Sequence, residues 1–85
     1  MLYLEDVKDE QMAFDAVADC EIAAIEASEA ISNKRNRIMR AERDIKCLQK
    51  LCMLRAWKGP QDKLTAMLDR LGDAKAELQV NQWRS

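Results

Sequence analysis

The chain contains no histidine. That removes the usual general base near neutral pH and the commonest neutral metal ligand. No Cys-x-x-Cys occurs; Cys47 and Cys52 stand five apart, off a shared helical face, and Cys20 is far away in sequence. A thiolate metal or redox centre is not expected from such spacing. The glycines, Gly59 and Gly72, are isolated, so no phosphate-cradling loop can be read. Ser28, Ser32, Thr65 and Ser85 have no histidine to activate them, which leaves lysine as their only candidate activator. A carboxylate metal site of the Glu-x-x-His type cannot be assembled in a bundle. No catalytic residue, metal or cofactor is assigned, and an enzyme is not expected.

Other shortages bound the setting. Aromatics are limited to Tyr3, Phe14, Trp57 and Trp83, and β-branched residues never alternate over a useful length. No apolar run approaches the roughly 20 residues of a membrane span, so no membrane partner is expected. The opening stretch MLYLEDVKDE is acidic, where a secretory signal carries positive charge. Three cysteines are an odd number; free thiols in a reducing cytoplasm are the expectation.

What remains is helix material. Hydrophobic residues make up 48% and charged residues 34%, with one proline, a profile of long helices and an all-α fold. Eighty-five residues imply one domain over 1–85. A chain this short buries only about 60–65% of its unfolded surface, so self-association, as a homodimer, is expected.

Three helices are predicted, at about 5–31, 34–57 and 60–82. Glu5, Asp6, Asp9 and Glu10 crowd the first start, where the helix dipole favours negative charge. In "KGPQD", Gly59 suits a left-handed turn and Pro60 the first position of a new helix. Gly72 weakens the third helix, and Asp73 is a candidate cap for a break there. Ser32–Asn33 either ends one helix and caps the next or continues a single rod. The architecture is thus a three-helix bundle or a long helical hairpin, with coiled-coil-like packing.

The first helix carries a line of small residues, Ala13, Ala16, Cys20, Ala23, Ala27 and Ala30. Its 3-4-3-4-3 spacing is that of a coiled-coil seam. Val17, Ala24 and Ile31 lie beside it, and Phe14, Ala18, Ile22 and Ile25 extend the apolar surface around the cylinder. So much apolar circumference calls for two neighbours. One lies within the chain; the other is the third helix or another subunit. The second helix has a stripe of Ile38, Ala41, Ile45, Leu48 and Cys52, and its end adds Leu51, Met53, Leu54 and Trp57 as an apolar patch. Self-association is expected through the alanine line or this patch. The third helix carries one stripe, Leu64, Met67, Leu68, Leu71, Ala74 and Leu78, with Trp83 near its end as an anchor or a partner contact.

Charge divides along the chain. Residues 1–32 hold nine acids and one lysine, and residues 33–58 hold nine bases and two acids. Arg35, Arg37, Arg40, Arg43, Lys46 and Lys50 spread over the face of the second helix away from its stripe. Two uses compete. The bases can lie against the acidic helix as rim ion pairs, worth about 0–1 kcal/mol each, or they can hold phosphates. Net charge is −1 and no aromatics interleave the bases, which weakens the nucleic-acid reading. On the first helix, Asp15, Asp19, Glu26 and Glu29 share a face with no base on that helix to offset them. Such a carboxylate row can occupy a basic groove on another protein. The expected function is a non-enzymatic protein–protein interaction module, a small regulator or inhibitor of the mobile-element or phage type. The alternative is a helical nucleic-acid binder that uses the second helix.

Overall fold

The computed structural model describes the backbone of residues 7–84 and the side chains of residues 7–80. The chain forms α1 (Glu10–Glu29), α2 (Lys34–Leu54) and α3 (Lys58–Arg84). All three pairs of helices pack together. Of the two arrangements open from the sequence, the three-helix bundle is the one adopted. The contributions expected of Glu5, Asp6 and the Trp83 side chain lie outside the described residues.

Helix α1 is shorter than the 5–31 predicted. Asp9 stops it: its backbone is extended, and its Oδ1 accepts the Met12 N–H at 2.8 Å. A carboxylate there satisfies one orphan donor and meets the positive end of the dipole. At the other end Ala30 turns to φ −64°, ψ 140°. The chain therefore bends at Ser32–Asn33, and Asn33 enters the left-handed region at φ 55°. The longest helix is α3, with 27 residues against 20 in α1.

The second turn corrects two expectations. No glycine has positive φ; the left-handed residue is Ala56, at φ 59°. Trp57 N–H bonds to Cys52 C=O at 2.9 Å and Ala56 N–H to Met53 C=O at 3.2 Å. That is a Schellman motif with alanine in the usual glycine position. It ends α2 at Leu54 instead of Trp57, and α3 starts at Lys58, two residues before Pro60. Gly59 serves a different purpose: a Cβ there would meet Phe14 Cζ at 2.8 Å. Its missing side chain lets α1 approach α3. Helix α3 runs unbroken through Gly72, so Asp73 caps nothing.

Phe14 near Gly59 puts the starts of α1 and α3 at one end of the bundle. Gln49 bonds to Thr65, and Glu42 pairs with Lys75, so α2 runs antiparallel to α3. The order is up-down-up. Large side chains from α2 and α3, namely Ile38, Ile45, Leu48, Leu64 and Leu71, are fully buried. Opposite them α1 contributes mostly small ones: Ala13, Ala16, Val17, Cys20, Ala24 and Ala27. Burying each large aliphatic side chain contributes about 1.5–3 kcal/mol. Small α1 residues let those side chains reach the axis.

Candidate interaction surfaces

The alanine line meets the bundle first. Ala13, Ala16, Cys20 and Ala27 are buried and Ala30 is half-buried, but Ala23 is exposed and Ala24 takes the inner place. An undistorted helix drifts about 20° per heptad against a strict 3.5-residue repeat. The buried stripe follows that drift and shifts by one residue in mid-helix. Both neighbours of α1 are α2 and α3 of the same chain. Self-association through the expected line is therefore left without a surface, apart from Ala23 and part of Ala30.

The thiols divide in the same way. Cys20 and Cys52 are buried and free, while Cys47 is exposed and free. Burial first, then the carboxylates of Asp44 and Asp19 and the Cys52 thiol, push Cys20 up to about 11. Burial, and then Glu10, raises Cys52. Both therefore act as small apolar core groups, not nucleophiles.

The patch predicted at the end of α2 splits. Leu51 and Trp57 are half-buried against the core, whereas Met53 and Leu54 are 62% and 78% exposed. The Schellman turn swings Trp57 inward and leaves Leu54 outside. A polar staple that the sequence did not suggest closes this corner. Gln49 Nε2 donates to Thr65 Oγ1 at 2.8 Å, Thr65 Oγ1 donates to Gln61 C=O, and Gln61 Nε2 donates to Cys52 C=O. No sequence pattern announces it, because the partners meet only once the hairpin closes.

Charged residues lie on the outside. Asp15, Asp19, Glu26 and Glu29 are all exposed. At about 100° per residue they fall within an arc of about 80°, opposite the buried stripe. Ile22 lies inside that arc at 57% exposure, and Met12 at its edge at 42%. Neither was singled out from the sequence as part of this face, although the same helical wheel contains both. On α2, Arg35, Arg37, Arg40, Arg43, Lys46 and Lys50 are exposed too, with Met39 among them.

The rim ion pairs expected between these two helices do not form. Among the described residues one side-chain ion pair occurs, Lys75 Nζ to Glu42 Oε1 at 3.5 Å, and it joins α2 to α3. No acid of α1 lies within ion-pair distance of a base of α2 among the described residues. Two open grooves of about 340 Å³ each flank the bundle. One is lined by Glu21, Ala24, Lys63, Met67 and Arg70, the other by Met39, Glu42, Arg43, Lys46 and Lys75. Among the described residues no group of three or more acidic or thiol side chains is placed to hold a metal ion.

No protein-family model matches the chain, and no curated protein or solved structure resembles it at a significant level.

Proposed function

We propose that the protein is a non-enzymatic interaction module, a small regulator or inhibitor that blocks a basic surface on a protein partner with the outer face of α1. One observation carries the reading. Asp15, Asp19, Glu26 and Glu29 form an exposed row, with no ion-pair partner among the described residues, around the exposed side chains of Ile22 and Met12. Carboxylates give such a face long-range attraction and selectivity; the two apolar groups give it something to bury. The row also works against the helix that carries it. Like charges four apart, as at Asp15 and Asp19, cost a few tenths of a kcal/mol. Acids in the last turn oppose the dipole by about 0.3–1 kcal/mol. Charges kept at that cost support a role outside the chain.

The test is capture from the native host's lysate, read by mass spectrometry. Wild type is expected to retain one dominant protein with a basic surface. Asp19→Lys combined with Glu26→Lys is expected to lose it while keeping the helical circular-dichroism signal. Equal capture by the reversed variant removes the acidic row from the reading.

A second reading rests on the six exposed bases of α2, which suit phosphate contacts. Anisotropy with labelled duplex and single-stranded probes at two salt concentrations separates the two. Binding that weakens steeply with salt and drops on Arg40→Ala or Arg43→Ala supports the nucleic-acid reading. A flat titration removes it.

A further inference from the structure

The two turns of the chain differ in whether they can become helix. Between α2 and α3 the obstacle is Pro60; in one continuous helix its ring would strike the Ala56 carbonyl and break the hydrogen-bond ladder. Between α1 and α2 stand Ala30, Ile31, Ser32 and Asn33, with no glycine or proline. Nothing in those side chains forbids helix. The bend there rests on little. Its backbone bond, Ala30 N–H to Ala27 C=O, is long at 3.4 Å, and Asn33 sits left-handed with no side-chain cap.

Phase is an independent observation. Cys20, Ala24 and Ala27 are buried on α1, and Ile38, Ala41 and Ile45 on α2. Ile31 and the half-buried Lys34 link them in a 4-3-4-3-4-3-4 spacing, the rhythm of a single coiled-coil seam. A hairpin does not require its two helices to share that phase; a straight helix with one buried side does. Ile31 is wholly exposed in the bent chain, and straightening would set it on the seam. Lys34 can occupy a seam position by laying its stem along apolar surface with the ammonium in water. The helix dipoles point the same way. Glu26 and Glu29 end α1, and Lys34, Arg35 and Arg37 begin α2, each against the dipole of its own helix. One continuous helix has no ends there to oppose.

We propose that α1 and α2 straighten through residues 30–33 into one helix over 10–54, and that two copies of this chain exchange α1. Each α1 then packs on the α2–α3 hairpin of the other copy, with the contacts it makes in the single chain. Exchange of an identical element is a low-cost route to a dimer, because only the hinge changes. The same fact fixes the occupant: the buried face of α1 fits this hairpin, and a second copy carries another one. The two long helices run antiparallel, and their Ile31 side chains meet near the two-fold axis. The alanine line stays covered, by the other copy's helices. The acidic row of α1 stays outside, so the proposal does not rest on its reading as a docking face.

Refolding from urea at high protein concentration, followed by sedimentation, tests it. Exchange requires α1 to leave one core and enter another, so the two forms interconvert slowly. A species of twice the 9.8 kDa chain mass is expected, and it should persist on dilution. A spin label on the exposed Cys47 reads its geometry. About 22 Å of helix separate Ser32 from Cys47 at 1.5 Å per residue, so the two labels should lie about 45 Å apart. Ser32→Ala with Asn33→Ala favours helix at both hinges and should raise the dimer association constant about tenfold or more. Ile31→Pro should give monomer alone. Proline there clashes with the Ala27 carbonyl in a continuous helix, whereas the bent chain already holds Ala30 at ψ 140°, as the residue before a proline requires. If that variant fails to fold, Asn33→Gly, which keeps the left-handed turn, reads the same hinge and should lower the dimer fraction. A wild type that refolds only to monomer overturns the proposal. So does a dimer indifferent to the hinge substitutions, or a label separation far from the expected one.

Discussion

At one end of the bundle the turn from α2 to α3 is held on every side. A Schellman motif closes α2, Trp57 folds onto the core, Pro60 is buried, and the Gln49–Thr65–Gln61 staple ties the two helices. At the other end the turn from α1 to α2 has little of this. Ile31 is wholly exposed, and Asn33 makes no side-chain cap. Charge is also reversed there: Glu26 and Glu29 sit in the last turn of α1, and Lys34, Arg35 and Arg37 in the first turn of α2. Both sets oppose their helix dipoles. One end is held by packing and hydrogen bonds that outweigh a strained alanine. The other has charges that oppose its helix dipoles, and it presents them to solvent.

The comparison can be broken by substitution. The largest expected difference lies between Leu64, fully buried near the closed end, and Ile31. Leu64→Ala is expected to cost about 2–5 kcal/mol in urea unfolding, whereas Ile31→Ala should stay within about 0.5 kcal/mol. Similar losses at both sites would mean that the open end is packed after all.

Next come the two left-handed residues. Ala56 strains against its own Cβ, so Ala56→Gly should raise stability by about 0.5–1 kcal/mol. Asn33→Gly should change it much less, because asparagine tolerates this conformation. A destabilised Ala56→Gly variant would argue against the Schellman turn.

The smallest effect sharpens the electrostatic contrast. Arg35→Glu places an acid at the start of α2 and is expected to add about 0.3–1 kcal/mol at low ionic strength, fading in salt. A loss of stability there would show that the basic start is held by the fold. No change in thermal midpoint at low salt would mean that the mismatch costs nothing.

Much of this was legible beforehand. The stripes Ile38–Ala41–Ile45–Leu48–Cys52 and Leu64–Leu71 have a period that packing then uses, so the existence of the helices and their inward faces follow from residue spacing. Asp9 was read at the right helix start, but as one acid among several; its capping bond singles it out. Ala24 in place of Ala23 was missed because the heptad line and the true helical line diverge only over several turns. Ala56 was missed because residue type points to Gly59 for a left-handed turn. Trp57 docking on the core and the two hydrogen bonds of the turn outweigh the strain of an alanine there. The failed rim ion pairs have a similar origin, since a list of opposite charges does not say which flank each one faces.

The sequence by itself determined three helices, the apolar stripe on each, and the sign of charge each would wear, because these depend on neighbours within a few turns of one chain. Tertiary structure alone decided the bend at Asn33, the Schellman turn at Ala56 and the burial of the alanine line between α2 and α3. It also decided which charges pair between helices. Each of those depends on close packing between distant segments, where a fraction of a turn in rotation moves a side chain from core to surface.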